Sequence, residues 1–397
     1  MKVRTIAFYL PQYHRIPEND EWWGEGFTEW TNVLASRPQF EGHVQPVEPG
    51  ELGFYSLDDQ STRAQQSKLA RDHGIDGFCI YFYWFGGRRL LERPLEDWRR
   101  DDTALPYCLS WANESWTRRW DGKSREVLME QSYVEGFEEA LYRDLEPHFL
   151  APHYMKMDGR PILVVHRVDL IPNPVRTANA LRALARSSGI DDLYLIAAET
   201  RHGIRPGDYG FDAVVEFPPV GANTLGSALI KPLKGVSPEF RGRLMSYVRT
   251  AKRFMRRRDP MSFTRHRGVM PAWDNTPRRK SRSTIYVGSN STTFGEWYRA
   301  SRRVEEARGG RGLVFVNAWN EWAEGAHLEP DSARGVSYLL ELAGVSGESV
   351  SDPLGTQESY GRVWSAPQLR SIVIAAAGST LAVTRRAKDA VARVWRP

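Results

Sequence analysis

The sequence predicts an α/β protein built as a (β/α)8 TIM-type barrel with long βα loops and a basic amphipathic C-terminal tail. Three observations carry this. Short apolar runs recur along the chain, helical stretches alternate with them, and polar or aromatic residues gather just beyond the ends of the runs.

The predicted strands are Val3–Tyr9, Gly77–Tyr83, Pro106–Trp111, Pro161–His166, Leu193–Ala198, Ala213–Phe217, Val269–Trp273 and Leu313–Val316. Most are continuously apolar rather than alternating, as parallel strands buried on both faces require. Helical patterns fall between them at Ser61–Asp72, Tyr133–Leu145, Ala178–Ser188, Phe240–Arg256 and Phe294–Arg308, with Gly74, Gly159, Gly189 and Gly268 at the joins. Eight uninterrupted alternations favour closure. An open doubly wound sheet is the competitor, but no G-x-G-x-x-G follows the first strand.

A barrel carries its functional groups at the C-terminal ends of its strands. Tyr13 and His14 follow the first predicted strand, and Tyr83 and Trp84 the second. Trp111, Asn113, Glu114 and Trp116 follow the third; His166 ends the fourth and Glu199 follows the fifth. Glu216 lies on the sixth, Asp274 and Asn275 follow the seventh, and the eighth runs into Trp319, Asn320, Glu321, Trp322 and Glu324. Any one of these is explained equally well by a capped strand end; eight converging on one rim suggest a polar, aromatic cleft. The long first loop, residues 12–58, adds Trp23 and Trp30 as candidate substrate contacts. Residues 218–267 look like an insertion over the barrel mouth.

Composition changes near Gly347. The resulting division is 1–347 for the barrel, 348–370 for a linker, and 371–397 for a basic amphipathic helix bearing Arg385, Arg386, Lys388 and Arg393. That helix is expected either to dock on the barrel or to lie on a membrane surface.

Of 397 residues, 41% are hydrophobic, enough for a large core. The formal charge of +5 comes largely from local basic runs at 252–258, 277–282 and 385–396. These read first as solvated surface, and no nucleic-acid-binding motif accompanies them. Cys79 and Cys108 lie inside apolar runs and are expected as buried free thiols. No metal-ligand spacing, P-loop, H-E-x-x-H or G-x-S-x-G is present, so no cofactor and no metal is expected. The N-terminus lacks a basic, apolar and cleavage-site succession, and no apolar run reaches about 18 residues. The expected location is cytoplasmic, with peripheral contact at the inner membrane face through the tail.

The densest constellation is NAWNEWAEGAHLEPD at 317–331. In a helical turn, Glu321 and Glu324 share a face with Cβ atoms ~5–6 Å apart. That suits the roughly 5–5.5 Å between the carboxyl groups of retaining glycosidases. Flanking Trp residues would stack on sugar rings and raise one carboxyl pKa. A second constellation, WANESWTRRWD at 111–121, combines aromatic and planar hydrogen-bonding groups that suit a sugar subsite.

The phrases AFYLPQYHRIPENDEWWGEGFTEW (7–30), CIYFYWF (79–85), LSWANESWTRRWDG (109–122) and VNAWNEWAEGAHLEPD (316–331) resemble the WbsX-like family, which is similar to glycoside hydrolase family 99. The resemblance spans roughly residues 3–345. It implies a (β/α)8 barrel that cleaves α-mannosidic bonds internally with retention, using the sugar 2-hydroxyl as nucleophile. It further implies Glu321 as base toward that hydroxyl and Glu324 as general acid/base. The chain departs from the hydrolase motif at Ala323, where a His is usual.

Three functions fit these residues. The first is a retaining glycosidase or transglycosidase on a surface polysaccharide. The second is a WbsX-type glycosyltransferase of O-antigen or capsule assembly, and the third a non-catalytic glycan-binding barrel. The expected partner is an oligosaccharide or polysaccharide, lipid-linked in the biosynthetic case.

Overall fold

The computed structural model describes residues 2–118, 126–309, 312–344, 361 and 363–379. Eight parallel strands form one sheet: β1 (Arg4–Tyr9), β2 (Gly77–Phe85), β3 (Tyr107–Trp111), β4 (Arg160–Val165), β5 (Tyr194–Ala198), β6 (Ala213–Val215), β7 (Thr264–Val269) and β8 (Leu313–Val316). Each pairs with the next in chain order. The sheet closes because β1 pairs with β8 (Arg4↔Leu313) on one edge and with β2 (Ile6↔Gly77) on the other. Among the described residues this is a closed (β/α)8 barrel.

The helices are α1 (Pro17–Trp23), α2 (Glu29–Leu34), α3 (Gln60–Asp72), α4 (Arg93–Arg100), α5 (Phe137–Phe149), α6 (Pro174–Ser187), α7 (Tyr247–Met255), α8 (Thr276–Arg279), α9 (Ser291–Ala307) and α10 (Ser337–Ala343). Asp59, Asn173, Ser246 and Asn290 cap α3, α6, α7 and α9 through their side chains, satisfying backbone N–H groups that a helix start leaves open. Between β5 and β6 a 3-10 turn, Pro206–Tyr209, is the only helical element.

The strand faces fill the core. Phe8 meets Phe217 edge-on at 5.1 Å and Phe315 at 5.5 Å, so aromatic rings from three parts of the barrel share one layer. Cys79 and Cys108 sit opposite each other on β2 and β3 as buried free thiols, as expected.

Three predicted elements move, the helix predicted over Tyr133–Leu145 being found over Phe137–Phe149. The seventh strand is Thr264–Val269, not Val269–Trp273. Its sequence, TRHRGV, is too charged to read as a buried strand, yet Arg265, His266 and Arg267 are all buried. Neighbouring carboxylates make that tolerable: Arg267 meets Glu216 at 3.2 Å and Asp259 at 2.5 Å, and His266 lies 3.6 Å from Glu305. Gly268 follows because a Cβ there would fall 2.1 Å from the Glu216 carbonyl oxygen. The helix predicted over 240–256 begins only at Tyr247; Arg243–Ser246 is instead a strand paired in parallel with Thr284–Val287. That pair, with Phe40, Leu229, Leu233 and Phe240, forms a small second core.

The described part of the tail is a helix over 366–379, beginning inside the predicted linker. It docks on the insertion. Gln368 Oε1 accepts from the Leu233 amide at 2.9 Å, Ser371 Oγ from Leu244 at 2.7 Å, and Ser379 Oγ from Leu225 at 2.9 Å. Arg385, Arg386, Lys388 and Arg393 lie outside the described residues.

Candidate active site

Beyond β8 the chain makes a tight, heavily braced loop. Asn320–Glu321 pairs antiparallel with Ala326–His327, and Trp322–Glu324 forms one 3-10 turn. Gly325 closes that turn at φ 59°, and a Cβ there would press on the Asp274 backbone at 3.1 Å, so the position demands glycine. Both the positive φ and the close approach let the Glu324 carbonyl accept from the Asp274 amide at 2.7 Å.

Beneath the loop, the buried Glu329 carboxylate accepts four hydrogen bonds: Trp319 Nε1 at 3.0 Å, Trp322 Nε1 at 2.7 Å, Gln66 Nε2 at 2.6 Å and the Tyr55 hydroxyl at 2.8 Å. Asn320 bridges the Leu10 amide and carbonyl at 2.8 and 3.0 Å, tying the loop to the end of β1. Tyr13 accepts from the Trp322 amide at 3.1 Å and packs on Trp30 at 4.6 Å. Tyr13, Trp30, Trp319, Asn320 and Trp322 therefore stand behind the site as its frame, rather than in the cleft as sugar contacts.

What the frame presents is a cluster of three carboxylates on one guanidinium. Arg278, from α8, places Nη1 3.2 Å from Glu321 Oε2 and Nη2 3.1 Å from Glu321 Oε1. The same Nη1 lies 3.3 Å from Glu324 Oε1, and Nη2 lies 3.3 Å from Glu29 Oε2 on α2. The Glu321 side chain is 9% exposed and that of Glu324 24%, so Glu324 is the more open to the cleft.

Burial pushes Glu321 up to about 8; Arg278 opposes this, while the charges of Glu324 and Glu29 add to it. Glu324 is also raised, again by burial against Arg278. Burial alone would lower Arg278, but Glu29, Glu321 and Glu324 outweigh it and hold the guanidinium firmly charged.

The cluster lines a cavity of about 600 Å³. Among the predicted contacts, Trp23, Tyr83, Glu114, Trp116 and His166 line it together with Glu321 and Glu324. Trp116 stands edge-on to Tyr83 at 5.1 Å, and the Arg118 guanidinium lies 5.4 Å over Trp23. His166 meets Phe217 edge-on at 5.2 Å; burial lowers its pKa, against the pull of Glu114. Glu114 pairs with Arg167, which also binds Asp169 at 2.9 Å. Trp120 and Asp121 of the second constellation fall outside the described residues.

Other predicted contacts lie elsewhere. Trp84 and Trp111 are fully buried, their indole N–H groups given to Asp144 and to the Trp84 carbonyl. Asn113 is spent on the Arg167 backbone, accepting its amide at 2.8 Å and donating to its carbonyl at 2.8 Å. His14 is buried and absent from the cavity lining. Asp274 anchors the first loop, accepting from Gln45 at 2.5 Å and meeting His43 at 2.7 Å, and Asn275 accepts the Thr284 amide at 2.7 Å. Glu199 and Glu216 both bind Arg257, at 2.6 and 3.2 Å, away from the cavity.

Sequence reasoning missed Glu29 and Arg278. Glu29 sits in the aromatic first loop, within GFTEW. Arg278 belongs to the basic run at 277–282 that reads as solvated surface, yet it is buried. The available signal was an Arg just beyond a strand end, opposite an E-x-x-E pair. Tyr81, Gln12 and Asn317 also line the cavity. Among the described residues, no group of three or more His, Cys, Asp or Glu side chains is placed to hold a metal ion.

The chain is thus a closed (β/α)8 barrel with a braced loop after its last strand and an aromatic cleft at its mouth. More particularly, the chain belongs to the WbsX family: residues 5–342 match the family described as Glycosyltransferase WbsX. It is 43% identical over 342 residues to the uncharacterized protein WxcX of Xanthomonas campestris pv. campestris, covering 85% of this chain and 49% of that one. The chain thus spans about half the length of the curated relatives it matches. A structure described as a glycoside hydrolase-like protein aligns with TM-score 0.51 at 14% identity, over 87% of this chain and 95% of that one. The GH99 endo-alpha-mannosidase of Bacteroides thetaiotaomicron aligns with TM-score 0.50 at 15% identity, over 86% and 96%. At such identities the likeness is one of fold.

Proposed function

We propose that the protein cleaves or transfers glycosidic bonds of a bacterial surface polysaccharide with retention, acting within the chain, through Glu321 and Glu324. One observation carries this. Glu321 Oε2 and Glu324 Oε1 both lie within 3.3 Å of Arg278 Nη1, so the two oxygens cannot be further apart than twice that distance. That falls at or below the ~6.5–9.5 Å that an inverting pair needs for an intervening water, which favours retention.

Two influences compete for the proton that the pair retains near neutral pH. Burial favours it on Glu321, while the two-nitrogen contact from Arg278 favours Glu321 as the anion. We assign the anion to Glu321, because both of its oxygens lie within 3.2 Å of the guanidinium and Glu324 is the more open to the cleft. Glu321 then takes the proton of the sugar 2-hydroxyl as O2 bonds to C1, and Glu324 protonates the departing glycosidic oxygen as the C1–O bond breaks. In the second step Glu324 removes a proton from water, or from an acceptor hydroxyl, as its oxygen attacks C1. The C1–O2 bond breaks and O2 recovers its proton from Glu321. General acid–base contributions of this kind reach about 10²–10⁴-fold.

The cleft's charge also favours a neutral sugar substrate. Arg167 and Arg278 are each engaged by two or more carboxylates, leaving little for a nucleotide diphosphate to bind. The family description favours the second reading, a WbsX-type transferase of O-antigen or capsule assembly working on a lipid-linked acceptor at the inner membrane face. The basic residues 385–396 would then meet that surface.

The test is incubation with α-mannan and O-antigen-type oligosaccharides, with and without nucleotide sugars and lipid-linked acceptors, products being read by mass spectrometry. Nucleotide-independent shortening or rearrangement, lost in Glu324→Gln, supports the proposal. Extension that requires a nucleotide sugar establishes the transferase instead.

A further inference from the structure

We infer that Arg278 and Glu29 form a charge clamp that positions the reacting pair and sets the pH at which it works, Arg278 being a positioning residue rather than a catalytic one. The inference rests on the carboxylate-pair reading above and deepens it.

The geometry is specific. A guanidinium offers a planar fork, and here Nη1 serves Glu321 and Glu324 while Nη2 serves Glu321 and Glu29. Lysine, a point donor on a flexible stem, cannot reproduce those contacts at once. Three carboxylates against one cation leave the cluster two charges negative if all ionise. Such an excess is costly where the Arg278, Glu321 and Glu29 side chains are all at most 9% exposed. Glu29 is the member with no catalytic step to perform. Its distance from Arg278 competes with that of the pair, so it tempers the cation's hold on Glu321 and Glu324. The other groups facing the cluster are Tyr13, Tyr81 and Tyr83, kept neutral by burial, and Arg279, which acts on Glu324.

The direction of each effect follows. Removing the fork withdraws positive charge, so Glu321 and Glu324 should titrate at higher pH. Neutralising Glu29 withdraws negative charge, so they should titrate at lower pH.

The decisive experiment is a pH titration of full-length protein carrying 13C at the glutamate carboxyls, followed by NMR in wild type, Arg278→Gln and Glu29→Gln. The Glu321 and Glu324 signals are identified by their loss in Glu321→Gln and Glu324→Gln. We expect opposite shifts of about half a pH unit or more in the two variants. The acidic limb of kcat should move the same way in each, with KM changed less than about threefold. Should Arg278→Gln misfold, Glu29→Gln alone decides. Titrations that stay at the wild-type pH in every folded variant overturn the clamp. The NMR result needs no substrate, so inactivity on every glycan would defeat the carboxylate-pair function while the clamp stood or fell on its own.

Discussion

Two regions of the barrel look alike in sequence and differ in kind. On the side of β5, β6 and β7, Glu199, Glu216, Asp259 and Glu305 are matched by Arg257, Arg265, Arg267 and Arg308. Beyond β8 and β1, Glu29, Glu321 and Glu324 all meet the one guanidinium of Arg278, on the wall of a cavity. The first region sets four acids against four arginines, away from the cavity. Among the described residues the second sets three acids against one guanidinium fork and opens onto the cavity. Buried acids near arginines are therefore not the mark of a site; an unneutralised excess facing a cavity is.

The sharpest way to break this comparison is to neutralise acids in both regions. Glu321→Gln and Glu324→Gln should each lower kcat by about 10²–10⁴-fold with little change in Tm, measured on the oligosaccharide that the wild type consumes. Glu216→Ala should do the reverse. It takes from the buried Arg267 one of its two carboxylates, leaving Asp259, and should cost about 1–3 kcal/mol in denaturant unfolding, while the kcat of the folded fraction stays near wild type. A reversed pattern would exchange the roles of the two regions.

A smaller effect is expected on the cleft wall. Trp116→Ala should raise KM about tenfold, near 1.4 kcal/mol, with kcat little altered, if its face receives a sugar ring. An unchanged KM would move the sugar-binding wall elsewhere.

The smallest effect concerns pH and stability. Burial raises the folded-state pKa of Glu329 to about 7 from an ordinary 4.5. Between those limits the folded Glu329 holds a proton that the unfolded chain has released, so its contribution to stability is lost as pH rises from about 4.5 to about 7. The Tm of wild type should therefore fall relative to that of Glu329→Gln across this window. A difference between the two that stays constant or grows in favour of wild type would contradict the burial argument.

The fold was legible because seven of the eight strands are apolar runs, and apolar runs are what a barrel interior demands. The seventh escaped because Arg265, His266 and Arg267 are buried by partners distant in sequence. The E-x-x-E pair was legible from its spacing and its neighbours. Glu29 was not, since 292 positions separate it from Glu321 and only barrel closure brings β1's loop to β8's. Arg278 was misread for a related reason: a basic run says nothing of which member turns inward. The overlong contact list, with Trp84, Trp111, Glu199 and Glu216 among it, came from treating every polar or aromatic residue near a strand end as facing the mouth. Successive residues there alternate in direction, and half of them serve the packing between strands and helices.

The most direct test of the central claim is the anomeric form of the first product, followed by 1H NMR during hydrolysis of the oligosaccharide that wild type cleaves. The account predicts that the configuration of the cleaved bond appears first and mutarotates later, and that neither Glu321→Gln nor Glu324→Gln yields the signal at a comparable rate. An initial product of inverted configuration would contradict the short carboxylate spacing on which the claim rests.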